Sequence, residues 1–176
     1  LARSNAAILE VGGGTTELML LQRNSIVAAH SLRLGTVRIE QQVEPGAQPD
    51  TIEDYLRDSV RVATELMEAE LPLDRIRYVI AVGGDARLAA RLAGSKKKEQ
   101  YSVMSRKAFG ELFASLRAMS TDEIVTRFGM TYSEADGLVP ALTIYKLFSD
   151  ATSAEELIVP DVSIREGVLT SFALGI

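Results

Sequence analysis

One stretch constrains this chain more than any other: Ile8-Leu9-Glu10-Val11-Gly12-Gly13-Gly14-Thr15-Thr16-Glu17-Leu18-Met19. An apolar run meets three consecutive glycines and two hydroxyls, with a glutamate on each side, and a second apolar run follows at once. Consecutive glycines lose the most backbone entropy on folding and contribute no packing, so a regular strand or helix avoids them. They suit a place where backbone is pressed close to something else. A phosphate group with a metal ion matches the flanking acids.

The surroundings of the glycines decide which kind of loop this is. Ala6 to Val11 reads as a short buried strand, Glu17 to Gln22 as a second and Ser25 to Leu32 as a third, with Asn24 in the turn between the last two. The glycines therefore join strand to strand. A Walker loop or a dinucleotide fingerprint leads into a helix, and neither spacing is present. Two readings of a glycine hairpin remain: a plain tight turn, or a nest of successive N–H groups that holds an anion by local dipoles.

Downstream, Ser31 to Glu40 carries Leu34-Gly35-Thr36-Val37-Arg38, a turn into a short helix, and Val43 to Asp50 reads as a loop marked by Pro45, Gly46 and Pro49. A long helix is expected from Thr51 to Glu70. Asp50 and Glu53 stand at capping positions, and Ile52, Tyr55, Leu56, Ala63, Leu66 and Met67 form an apolar stripe. Arg77 to Val82 is a buried strand that Gly83-Gly84-Asp85 turns into a helix over Ala86 to Leu92. The free N–H groups at that helix start favour an anion, but Asp85 is expected to satisfy them itself as the N-cap. Lys96-Lys97-Lys98 reads as a solvated loop.

Helices follow from Ser105 to Met119, from Ser120 to a stop at Gly129, and from Ser133 to Phe148, where Pro140 predicts a kink. A strand over Glu156 to Val159 and a closing helix over Ile164 to Leu174 complete the chain.

Composition excludes several functions. The 176 residues are enough for one cored domain, and 47% hydrophobic content is that of an ordinary globular protein. The chain has no cysteine and one histidine, His30, so neither disulfides nor thiolate or multi-histidine metal sites are available. A net charge of −5 speaks against electrostatic binding to nucleic acid or an acidic membrane surface. No apolar run reaches the roughly 20 residues of a membrane-spanning helix, and cytoplasmic is the default location.

The order of elements, three hairpin-linked strands, a helix, a strand, helices, a strand and a last helix, resembles one half of the ribonuclease-H-like, actin-like ATPase fold, read here as an α/β domain with a mixed five-stranded sheet and flanking helices. The motifs narrow the resemblance. Glu10 to Leu18 is similar to the Asp-Ile-Gly-Gly-Gly-Ser-x-Glu-Leu signature of the exopolyphosphatase / guanosine pentaphosphate phosphohydrolase family. Ser31 to Arg38 resembles its Ser-Leu-Pro-Leu-Gly-x-Val-Arg, and Val82 to Ala89 its Gly-Gly-Thr-x-Arg-x-Leu-Ala. Ala135-Asp136 with Pro140 resembles its Arg-Ala-Asp-x-x-x-Pro, and Val162 to Leu169 its Val-Gly-Leu-Arg-Glu-Gly-Leu-Leu.

The resemblance implies the second of two actin-like domains, residues 1–176, with the first domain and its water-activating glutamate lying elsewhere in the protein. It implies hydrolysis of terminal phosphoanhydride bonds of polyphosphate or guanosine pentaphosphate with Mg²⁺, with this piece inactive alone and a homodimer expected. Glu17 and Glu10 are then the catalytic and metal-binding candidates. Gly12, Gly13, Gly14, Thr15, Thr16, Gly83, Gly84, Arg87 and Arg38 are the phosphate-binding ones.

Several positions depart from the family pattern. Glu10 replaces its aspartate, Asp85 its hydroxyl residue, Arg33 a proline and Glu134 an arginine, and Val82 stands where a hydroxyl is frequent. Asp85 repels an anion unless a cation intervenes. It motivates an alternative, a non-catalytic domain that senses a phosphorylated nucleotide and regulates a partner. A sugar-kinase-like use of ATP ranks last, since no stretch resembles an adenosine pocket distinctly.

Overall fold

The computed structural model describes residues 4–42, 49–93 and 95–161, with 40–42 and 49–50 by backbone alone. Strands β1 (Asn5–Val11), β2 (Thr16–Gln22) and β3 (Ser25–Leu32) form an antiparallel meander. Arg23 and Asn24 make the second turn with φ of 51° and 70°. Two consecutive positive φ values match the right-handed twist of the flanking strands.

Helices α1 (Thr36–Gln42) and α2 (Pro49–Glu70) lead, through a short 3₁₀ turn at Leu73–Arg75, to β4 (Ile76–Val82). The remaining elements are α3 (Gly84–Leu92), β5 (Lys96–Lys97), β6 (Tyr101–Ser105), α4 (Arg106–Arg117), α5 (Thr121–Phe128), α6 (Tyr132–Asp150) and β7 (Glu156–Pro160). No described helix is long and apolar enough to cross a membrane.

The sheet order is β3-β2-β1-β4-β7-β6-β5, with β1, β4 and β7 parallel in the middle. This is the ribonuclease-H-like, actin-like arrangement expected from the sequence, with seven strands in place of five. The two extra strands are β5, which holds lysines expected in a loop, and β6, which pairs antiparallel with β7. The first of these is two lysines, and in the second the buried positions are Ser102 and Met104 on either side of Val103, so neither carries an apolar alternation that marks a strand.

Alternation fixes which sheet face is core. Leu9, Val11, Leu18, Leu20, Val79 and Ala81 point into the apolar core, which they share with Leu56, Val60, Ala63 and Met67 of α2 and Leu138, Ala141, Leu142, Tyr145 and Phe148 of α6. The α2 stripe differs from expectation at Leu66, which is 55% exposed, while Val60 takes an inward place. Helix α2 also starts earlier than expected, at Pro49, a residue whose fixed φ and missing N–H suit the first helical position. Glu53, expected in the cap, takes Arg57 and Arg117 at 2.8 and 2.9 Å.

Helices α5 and α6 begin with full capping boxes, Ser120 with Glu123 and Thr131 with Glu134, and Gly129 closes α5 in the left-handed region. Helix α6 passes through Pro140 as one element and, among the described residues, touches every other α-helix as well as β1. The expected closing helix over Ile164 to Leu174, the Val162 to Leu169 motif and all but the end of the Val43 to Asp50 loop lie outside the described residues.

Candidate active site at the ends of β1 and β4

Strand order reverses between β1 and β4: the chain moves one way from β1 to β2 and β3, and the other way from β4 to β7. Crevices outside the carboxyl ends of parallel strands at such a switch point are where α/β sheets bind ligands. Both glycine loops lie there, Gly12 to Gly14 after β1 and Gly83-Gly84 after β4.

The first loop is fixed by its carbonyls. Gly12 N–H donates to Thr15 O at 2.9 Å and closes the hairpin. Thr36 N–H donates to Gly12 O at 3.1 Å, while Val37 and Arg38 N–H both donate to Gly13 O at 2.9 and 3.1 Å. Arg38 Nε reaches Gly14 O at 3.3 Å. All peptides of the described residues are trans, so each carbonyl turned toward α1 sends the next N–H the opposite way. The N–H groups of Gly13, Gly14 and Thr15 therefore point away from α1, and those of Gly13 and Gly14 meet no acceptor among the described residues. Successive outward N–H groups make an anion nest.

Two neighbours make this geometry possible. A Cβ on Gly35 would lie 2.5 Å from Gly13 O and 2.7 Å from Gly12 O, so only glycine lets α1 approach the loop. Thr16 is fully buried, and its hydroxyl donates to Leu34 O at 2.7 Å. Its side chain is thus occupied inside the fold as a brace, in place of the ligand contact expected for it.

The two glutamates come together. Glu10 and Glu17 are direct partners in the β1–β2 ladder, on the sheet face opposite the core, and both are half-buried. Like charges opposed in this way destabilise a sheet, and an oxygen-liganded cation between them removes the conflict. Glu17 also accepts the Ser31 hydroxyl at 2.8 Å, which orients its carboxylate. Among the described residues no cluster of three or more metal-binding side chains exists. Glu10 and Glu17 are the two facing carboxylates here that could contribute to an oxygen-liganded cation site; Mg²⁺ in general keeps several waters and takes one or two carboxylates beside substrate phosphates.

The second loop differs from the expected N-cap. Gly83 is the N-cap, at φ 130°, and Asp85 lies inside the first turn with no capping hydrogen bond. The chain has already turned at Gly83, where a side chain would be strained, so Asp85 arrives too late to cap. It is half-buried, and burial first, then the negative charge of Glu134, raise its pKa above the ordinary 3.8. Arg87, half-buried on the next stretch of α3, pairs with no carboxylate among the described residues. Asp136, at the start of α6, accepts the Thr121 hydroxyl at 2.8 Å.

One contributor escaped the sequence reading. Tyr145, from the middle of α6, reaches both strand ends: its hydroxyl donates to Val82 O at 2.5 Å and accepts Val11 N–H at 3.2 Å. Burial pushes its phenol well above the ordinary value. Its partners lie 134 and 63 residues away in sequence, and a tyrosine in an apolar helix carries no local mark of such a role.

A family model described as the Ppx/GppA phosphatase family matches residues 2–175. Among solved structures, an exopolyphosphatase from Cytophaga hutchinsonii is similar, with a TM-score of 0.86 at 20% identity over 99% of this chain and 58% of its own. The type II variant of the Aquifex aeolicus Ppx/GppA phosphatase gives a TM-score of 0.76 at 17% identity over 96% of this chain and 57% of its own. The chain thus spans less than three-fifths of the length of the structures it matches. No curated protein matches the sequence.

Proposed function

The chain belongs to the Ppx/GppA phosphatase family, and from that premise we propose that it is the second domain of a two-domain phosphohydrolase releasing terminal phosphate from polyphosphate or guanosine pentaphosphate. The observation that carries the reading is the nest of outward N–H groups at Gly13, Gly14 and Thr15, set beside two facing carboxylates at the switch point of the sheet.

Phosphoryl transfer asks a protein mainly for positioning and charge neutralisation. The nest holds non-bridging oxygens of a phosphate, and the free N–H groups at the start of α3 lie just past the carboxyl end of the neighbouring strand β4. Arg87 offers a planar fork that fits a phosphate bidentately. Arg38 keeps the loop in shape through Gly14 O and adds positive charge beside it. Glu10 and Glu17 would hold Mg²⁺, which supplies charge neutralisation on the phosphate chain when bound. The residue that activates the attacking water comes from the first domain, so the chain alone has no turnover. A cytoplasmic homodimer is the proposed setting.

The test is phosphate release by the full-length protein with Mg²⁺, which Glu17→Gln abolishes. Absence of release from both substrates across several divalent cations removes this reading. A second reading, a sensor that binds a phosphorylated nucleotide without hydrolysis, is favoured by Asp85, a carboxylate at the second loop where the family has a hydroxyl. Calorimetry on the full-length protein decides it: tight binding without turnover supports the sensor, and turnover removes it.

A further inference from the structure

We propose that the Tyr145 hydroxyl is a positioning group that locks the two glycine loops into one anion site, an inference that rests on the phosphate reading above. The hydroxyl takes one hydrogen bond from each side of the crevice. Val11 N–H, immediately before Gly12, donates to it, and it donates to Val82 O, immediately before Gly83. A Cβ on Gly83 would stand 3.2 Å from the same oxygen, so the second loop also rests against it sterically. Tyr145 itself is 1% exposed and held by the α6 core, which leaves the oxygen little freedom.

The geometry has a consequence for both loops. Strands β1 and β4 already pair up to Glu10 and Val82, but the ladder ends there, and beyond it the loops have no direct bond to each other among the described residues. The single hydroxyl carries their relative position past the end of the ladder. Phosphate oxygens lie only a few ångströms apart, so N–H groups from two loops converge on one phosphate chain only while that spacing is kept. Glu10, Asp85 and Arg87 all lie close enough to act electrostatically on the phenol, so the locked group sits among the residues proposed to bind ligand.

The experiment follows backbone amides of the chain by NMR in the wild type, in Tyr145→Phe and in Phe148→Leu, a control that trims a buried apolar ring of the same helix. Without ligand, Tyr145→Phe is expected to shift amides in both Gly12 to Thr15 and Gly83 to Ala86, and to speed exchange of Val11 N–H about tenfold, while Phe148→Leu leaves both loops in place. A disturbance confined to one loop overturns the lock. With inorganic tripolyphosphate, the wild-type loops are expected to titrate with one shared Kd, and those of Tyr145→Phe with two different values, the weaker of them about tenfold above the wild type. A variant that keeps the wild-type Kd in both loops overturns the inference. If tripolyphosphate moves neither wild-type loop, the phosphate reading fails, and the exchange measurement alone decides the lock.

Discussion

Gly35→Ala isolates the packing that shapes the candidate phosphate loop. The added Cβ would lie 2.5 Å from Gly13 O, 2.6 Å from Gly13 C and 2.7 Å from Gly12 O, all backbone atoms with no side chain to swing away. Ordinary contact lies near about 3.5 Å, so α1 and the loop must part by about 1 Å. That movement breaks the three bonds from Thr36, Val37 and Arg38 N–H to the loop carbonyls. At roughly 1 kcal/mol for each bond, with overpacking in the same range, the loss is about 2–4 kcal/mol.

For a domain of this size each kcal/mol shifts Tm by about 2–4 °C, so a thermal melt should fall by roughly 4–16 °C. The matched control is Gly14→Ala, whose Cβ meets nothing within 4 Å and which should melt within about 2 °C of the wild type. A Gly35→Ala protein that melts with the wild type, or a Gly14→Ala protein that falls as far, would refute the close approach of α1 to the loop.

Other changes probe separate parts of the site. Thr16→Val removes a buried hydroxyl and leaves Leu34 O unsatisfied, so chemical denaturation should show a loss of about 1–3 kcal/mol with an unchanged m-value. For Asp85 the folded state binds the proton more tightly than the unfolded one, so stability is fullest below the ordinary 3.8 and falls as pH rises through the raised value. Asp85→Asn should therefore melt higher than the wild type at pH 7, with the difference closing by pH 3; an equal or lower Tm at pH 7 contradicts the burial of this carboxylate. Arg87→Gln should weaken tripolyphosphate binding about tenfold in calorimetry, with Tm little changed, and unaltered affinity would remove Arg87 from the site.

The parts of the site legible in the sequence are those with local signals. The apolar alternation around Gly12 to Gly14 marks both strands of the hairpin, and it sets Glu10 opposite Glu17. The capping boxes at Ser120 and Thr131 follow from residue types three apart. What escaped depends on distant partners. Gly35 looks like any turn glycine until α1 meets the first loop, and Tyr145 looks like core until its hydroxyl meets two strand ends. Thr16 reads as a ligand-facing hydroxyl, yet the alternation that buries Leu18 and Leu20 carries Thr16 to the same inner face. Asp85 follows the usual residue preference for a cap, but Gly83 supplies the turn two residues earlier.

In the proposed reading, the Gly12 to Gly14 nest and the Glu10–Glu17 pair form one side of a phosphohydrolase site. The most direct measurement is phosphate release from polyphosphate and from guanosine pentaphosphate by the full-length protein with Mg²⁺, wild type beside Glu17→Gln. Release is expected from the wild type and none from the variant. Equal release by both would contradict the role of Glu17, and none by the wild type with any divalent cation would contradict the reading itself.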